Sequence, residues 1–243
     1  MSARRCAALV VVFLLSAVTP VTASHLALRC TAPDEVTRFK VTLPNTARAL
    51  RRGEALVIVA IGSSSTWPLL PVTVVNKGVG GEMAEQMLAR FRRDVLPYRP
   101  QLVIWQTGTN QALKNEDVQS YEQTARKGID QLKASQADVI LMDPQYAPHV
   151  LGRRLHTAIL DVLDGVANEL HVAVFHRFAI MRHWVTSGQY TMGDIVSRDQ
   201  LHMNDTSYSC IARLLADSLV STALATTPAH AHPPVQARSG PAR

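Results

Sequence analysis

The sequence predicts an α/β domain, in which a parallel sheet of about five strands is covered on both faces by helices. Short apolar, β-branched runs recur from residue 55 onward, and segments of helical periodicity separate them. The 243 residues are 47% apolar and 18% charged, enough apolar surface for one sizeable core. That balance excludes a wholly disordered chain, and 12 Gly with 13 Pro exclude a collagen-like repeat.

Ala55–Ile61 (ALVIVAI) is continuous and apolar, as a strand buried on both faces should be. Val72–Val75 is a shorter second strand. Residues 82–96 follow as a helix with Ala84, Met87, Leu88, Phe91 and Val95 on one stripe. Leu102–Trp105 is the third strand. Asn115 is read as the cap of the next helix, with Glu116 and Asp117 in its first turn and Val118, Tyr121, Ala125, Ile129 and Leu132 facing the core. Asp138–Met142 is the fourth strand, residues 154–170 a helix, and Val172–Phe175 the fifth strand. Thr206–Leu224 closes the domain as a helix. Alternating strands and helices imply right-handed crossovers and a parallel sheet.

The ends of the chain differ from this body. Residues 1–23 pair Arg4 and Arg5 with an apolar run of about 13 residues, short of the length that spans a bilayer. Small residues at Val21 and Ala23 complete the pattern of a cleavable export leader. Residues 24–54 are an N-terminal extension, 55–224 the domain, and 225–243 a Pro/Ala-rich tail without apolar periodicity, read as disordered. The expected location is periplasmic or secreted, with no stable membrane span. Cleavage removes Cys6, and the remaining even pair, Cys30 and Cys210, favours a disulfide in an oxidising compartment.

The net charge of +6 would suit a nucleic-acid partner, but its distribution does not. Arg4 and Arg5 lie in the leader, Arg238 and Arg243 in the tail; removing these four leaves +2. Arg92-Arg93 and Arg153-Arg154 read as solvated helix faces, so no nucleic-acid partner is expected.

Ligands of open parallel sheets sit beyond the carboxyl ends of the strands, and the residues there are polar. Gly62-Ser63-Ser64-Ser65-Thr66 follows the first strand, Asn76-Lys77-Gly78-Val79-Gly80-Gly81 the second and Gly108-Thr109-Asn110 the third. Asp199-Gln200-Leu201-His202 precedes the last helix. Each is commonplace alone. The glycines also miss the G-x-G-x-x-G template of dinucleotide loops, because Met83 occupies the last position. In order, they supply a hydroxyl nucleophile, amide donors, a carboxamide and an acid–imidazole pair.

Those four blocks resemble the SGNH (GDSL-type) hydrolase superfamily over residues 55–224. The stretches DPQYAP, RFAIMRHW and HMND-x-SY-x-C are similar to an exported bacterial subgroup of it. The resemblance implies a flavodoxin-like αβα sandwich with strand order 2-1-3-4-5. It implies a triad of Ser64, His202 and Asp199, and an oxyanion hole from the Ser64 N–H, the Gly81 N–H and the Asn110 side chain. No metal and no organic cofactor are implied. The chemistry fits: Ser64 needs a base, His202 can serve as one, and Asp199 can fix its tautomer. Of the three adjacent serines, the second residue after the Gly is the reactive one in the family.

The expected activity is an exported serine esterase acting on small or carbohydrate-borne acyl esters, O-acetyl groups of envelope polysaccharide or peptidoglycan among them. A lysophospholipase or thioesterase is the enzymatic alternative. Two departures stand out. Ser63 replaces the Asp of the GDS motif, and only Ser65–Val75 separates the nucleophile block from Asn76, too short for a crossover holding a full helix. The second departure motivates a third reading, a catalytically impaired glycan-binding or envelope protein.

The remaining candidates get plainer roles. Trp67, Trp105 and Trp184 are read as core, and His230 with His232 as tail residues. His149, His156, His171, His176 and His183 share no metal-ligand spacing. Asn204-Asp205-Thr206 matches a glycosylation sequon and is read instead as a helix cap.

Overall fold

In a computed structural model of the protein, residues 30–62 and 72–225 are described. After two N-terminal helices, α1 (Asp34–Thr37) and α2 (Pro44–Arg52), come strands β1 (Leu56–Ile61) and β2 (Val72–Asn76). Helices α3 (Ala84–Ala89) and α4 (Phe91–Asp94) lead to β3 (Leu102–Gln106), then α5 (Thr109–Lys114) and α6 (Val118–Ala134). The chain continues through β4 (Asp138–Met142), α7 (Pro148–Leu151), α8 (His156–Glu169) and β5 (Ala173–Phe175). It closes with α9 (Arg177–Thr186), α10 (Met192–Ile195) and α11 (Asp205–Leu224).

The sheet order is β2-β1-β3-β4-β5, and every pairing is parallel. This is the flavodoxin-like order that the family resemblance implies. Val59 lies between Val75 on β2 and Val103 on β3, which fixes the register at the centre. Because the order reverses between β1 and β3, the ligand crevice of such a sheet opens above those two strands.

Period-two alternation sends neighbouring side chains into two cores. Ile58, Ile104 and Ile140 face Ala49 of α2, Trp184 of α9 and Ile211 of α11. Val59, Val103 and Val139 face Met87, Phe91, Ile129 and Leu163 on α3, α4, α6 and α8. Each such aliphatic residue removed from water contributes about 1.5–3 kcal/mol before conformational entropy is counted. Trp105 and Trp184 are fully buried, as read, while Trp67 lies outside the described residues. A Cβ on Gly128 would lie 2.3 Å from the Trp105 ring, so α6 carries glycine where the indole needs its space.

Two local expectations are corrected. The helix read over 82–96 is broken at Arg90 (φ −104°, ψ 5°) into α3 and α4, followed by a 3-10 turn at Leu96–Tyr98. Arg90 is buried, with its guanidinium bonded to Glu82 and Asp94, and Pro97 lacks the N–H that a continuing helix would use. The apolar stripe survives the break, since Ala84, Met87, Phe91 and Val95 are all buried. Asn115 does not cap α6. It ends α5 in a left-handed conformation (φ 50°), and Asp117 is the cap, accepting from the Ser120 N–H at 2.8 Å. Gly108-Thr109-Asn110, the block after β3, opens α5 with Gly108 as its N-cap.

The segment before β1 is tied to the sheet. Asp138, at the start of β4, accepts from the Thr46 N–H at 2.7 Å, placing a carboxylate at the N-terminus of α2. Trp184 Nε1 donates to the Thr31 carbonyl at 2.8 Å. Cys30 and Cys210 are disulfide-bonded with a Cα–Cα distance of 5.1 Å, joining this segment to α11. No helix among the described residues is long and apolar enough to cross a membrane. The leader (1–23) and the tail from residue 226 lie outside the described residues.

Candidate active site

The turn after β2 is built onto the end of β1. Lys77 N donates to the Ala60 carbonyl at 2.7 Å and Val79 N to the Gly62 carbonyl at 2.8 Å, so the parallel ladder continues past both strands. Asn76 folds its side-chain oxygen onto the Gly78 N–H at 2.9 Å. A Cβ on Gly78 would stand 2.6 Å from the Gly62 carbonyl oxygen, and only glycine permits that approach. Asn110, in the first turn of α5, reaches across from β3 and donates from Nδ2 to the Glu82 carbonyl at 2.7 Å. Two of the oxyanion donors read from the sequence are thereby brought together. The Gly81 N–H has no hydrogen-bond partner among the described residues. Asn110 retains a second amide hydrogen beyond the one given to Glu82.

Asp199 and His202 form a compact unit in one turn. Asp199 Oδ2 lies 2.6 Å from His202 Nδ1, and its Oδ1 accepts from the Leu201 and His202 N–H groups at 3.0 Å each. The imidazole hydrogen bond first, then the two backbone donors, hold the Asp199 carboxyl down at about 2. The ionised carboxylate selects the tautomer with hydrogen on Nδ1, leaving the Nε2 lone pair free to accept a proton. No described residue bonds Nε2, and the imidazole is half-exposed. Ser64 lies outside the described residues, as do Ser63 and Ser65. The last described residue before them is Gly62, the one held against the Val79 N–H.

Several polar anchors hold the turn. His149 N donates to the Gln200 carbonyl at 3.0 Å, and Ser197 N to the His202 carbonyl at 2.8 Å. Asn204 then caps α11, accepting from the Ser207 N–H at 3.1 Å and donating to the Asp194 carbonyl at 2.8 Å. The sequon asparagine is a cap, as read.

Sequence reasoning missed a buried polar bed beneath these blocks. Asp143, Gln145 and Arg177 follow β4 and β5 and are all buried. Arg177 gives Nε and one terminal nitrogen to the Asp143 backbone carbonyl, at 3.0 and 2.7 Å. The Asp143 carboxylate accepts from the Phe178 N–H at 2.8 Å. Burial, more than the Phe178 bond and Arg177 charge can offset, pushes the Asp143 carboxyl up to about 8. An unfolded aspartate titrates near about 3.9. Between about pH 4 and 8 the native state therefore binds the extra proton, and stability falls as pH rises through that window. Asp143→Asn, which keeps an acceptor for the Phe178 N–H, is expected to flatten this slope in urea-unfolding midpoints measured from pH 4 to 8. An unchanged slope would remove Asp143 as its source.

The strand order, with donors after β2 and β3 and an Asp–His pair before the last helix, defines the class of SGNH hydrolases. The chain belongs to the non-GDSL lipase-like family, which matches residues 64–225. It is 29% identical over 125 residues to a thioesterase/protease/lysophospholipase of Escherichia coli, covering 49% of this chain and 60% of that enzyme. An arylesterase of Vibrio mimicus is 27% identical over 165 residues, covering 64% and 78% of the two chains. The chain thus spans about three fifths of the first relative's length and more of the second's. Among solved structures, an acetylxylan esterase from Geobacillus stearothermophilus superposes with a TM-score of 0.57 at 19% identity, over 68% of this chain and 94% of that one. At that identity the likeness is one of fold.

Proposed function

We propose that the protein is an exported serine esterase in which Ser64 attacks the acyl carbonyl. His202 Nε2 takes the Ser64 proton and returns it to the leaving alcohol, and the acyl-enzyme is then hydrolysed by a water activated in the same way. Asp199 orients the imidazole and stabilises its cationic form. The Gly81 N–H and the free amide hydrogen of Asn110, with the Ser64 N–H, receive the negative charge of the tetrahedral intermediate. The observation that carries the reading is the 2.6 Å Asp199–His202 contact, whose Nε2 has no partner among the described residues, together with the Gly81 N–H and the second amide hydrogen of Asn110, which likewise have none there.

The space beside the site supports a substrate class. A mostly apolar pocket, lined by Ile61, Gly62, Met203, Tyr208 and Ile211 with Gln106 and Arg177, reaches within two residues of Ser64 at Gly62 and one of His202 at Met203, and its free volume is about 40 Å³. So small a pocket supports a short acyl group over a long chain. The half-exposed imidazole is compatible with an ester borne on a polymer. O-acetylated envelope polysaccharide or peptidoglycan combines both features, and the Cys30–Cys210 bond agrees with an oxidising compartment outside the cytoplasm. The Escherichia coli relative's thioesterase and lysophospholipase name supports a second reading, in which the acyl chain is long.

A fluorophosphonate probe and a series of acyl esters separate these readings. Labelling of the oxidised protein is expected, with kcat/KM greatest for acetyl or similarly short esters. Each further methylene buried adds about 0.8 kcal/mol, so a long-chain enzyme would climb towards an optimum at about eight carbons or more. That outcome would replace the acetyl-ester reading. Folded, oxidised protein that never labels would overturn the esterase reading and favour the catalytically impaired one.

A further inference from the structure

Three side chains from the ends of β3 and β4 form a one-way chain of hydrogen bonds beneath the site. Gln106 Nε2, at the end of β3, donates to Thr109 Oγ1 at 3.3 Å. The Thr109 hydroxyl donates to Gln145 Oε1 at 3.0 Å, and Gln145 Nε2 donates to the Leu201 carbonyl at 3.1 Å. Leu201 is the residue before His202, and Thr109 the residue before Asn110. One buried carboxamide therefore touches the immediate neighbours of both the oxyanion donor and the base.

The orientation of this amide is settled by chemistry. Arg177 donates to Gln145 Oε1 at 3.1 Å, and a guanidinium can only donate, so the oxygen must face Arg177 and Thr109. The nitrogen is then left facing Leu201. Gln145 is nearly inaccessible, so no solvent competes for these bonds and an unmade one leaves a polar group stranded. Three bonds polarised in one direction also reinforce one another.

The Asp199–His202 unit differs in kind. Its three internal bonds lie within one turn and fix the imidazole relative to Asp199, but not relative to the sheet. The His202 carbonyl is bonded within the same loop, to the Ser197 N–H, while the Gln200 and Leu201 carbonyls reach His149 and Gln145 after β4, and Gln145 supplies the side-chain link that also reaches the Asn110 side. We infer that Gln145 is a positioning residue that sets His202 in register with the oxyanion donors, so that base and oxyanion hole serve one reacting carbonyl. The inference rests on the esterase reading above.

The informative variant is Gln145→Glu. A glutamate keeps acceptors for Arg177 and Thr109 but turns a second oxygen towards the Leu201 carbonyl, acceptor against acceptor. Misplacing a catalytic group by about 1 Å can cost about 100-fold in rate. The fluorophosphonate labelling rate and kcat are therefore expected to fall by about 10- to 100-fold, with KM nearly unchanged. The labelling endpoint, which counts folded sites, should match the wild type. Wild-type kcat in the folded variant would overturn the inference. So would a reduced endpoint whose remaining sites react at the normal rate, because that is loss of fold alone. If Gln145→Glu does not fold, Gln145→Met removes the polar atoms at similar size, and the same split decides. Amide hydrogen exchange gives a readout that needs no activity: residues 197–203 should lose protection in the variant while β3 and β4 keep theirs. Unchanged protection overturns the inference even if wild-type protein does not react with the probe, whereas a silent probe with lost protection counts only against the esterase reading.

Discussion

Ser64→Ala is expected to abolish fluorophosphonate labelling and to reduce ester turnover by about 10⁶-fold, leaving only the rate that binding and the oxyanion donors sustain. The size follows from covalent chemistry. Without the hydroxyl, no acyl-enzyme forms, and water must attack without the same alignment. Ser63→Ala and Ser65→Ala should still label, with losses limited to altered turn geometry. Loss confined to either neighbour would mean that the nucleophile block is displaced by one residue. Full activity in Ser64→Ala would remove the serine-esterase mechanism altogether.

His202→Ala should match Ser64→Ala in magnitude, and the double variant should be no worse, because the two residues act as one unit. Asp199→Asn is expected to be milder, about 10⁴-fold, since it changes the imidazole's tautomer and removes a charge without removing the base. Equal losses in Asp199→Asn and His202→Ala would give the carboxylate more than an orienting role. The pH dependence discriminates further. The Asp199 carboxyl is held at about 2 in the folded protein, below its ordinary value. Its favourable contact with the imidazole is thus present above the ordinary carboxylate range and is lost as pH falls towards 2. Comparing kcat/KM at falling pH in the wild type and Asp199→Asn checks this, since only the wild type should lose the contribution of that contact below the ordinary carboxylate range.

Much of this arrangement was legible in the residues. The five strands announce themselves because a central parallel strand is apolar on both faces, and Leu56–Ile61 and Leu102–Gln106 satisfy that test. The Asp199–His202 pair was legible because its contact is local, spanning three positions of one turn. Helix boundaries were harder. The Arg90 break depends on a buried ion pair with Glu82 and Asp94, and a periodic stripe carries no sign of it. Asn115 and Asp117 both suit a helix cap by type, and the choice rests on the left-handed turn that ends α5. Long-range polar contacts were the least visible. Gln145 and Leu201 are separated by 56 positions, and a glutamine in a proline-rich loop is unremarkable until the fold closes over it.

The Cys30–Cys210 bond makes the chain between them a covalent ring, separated by 180 positions and containing the whole sheet and every proposed site residue. A ring has no free ends to lose. One peptide cut in a surface turn, such as the exposed Ser187-Gly188 after α9, opens it to a linear chain but releases no piece of the domain. The two halves of the site stay tethered at the concentration the fold sets, and only a second cut or a reductant can part them. In surroundings rich in proteases, that tolerance of a single scission is a property of chain topology, distinct from how tightly the core is packed.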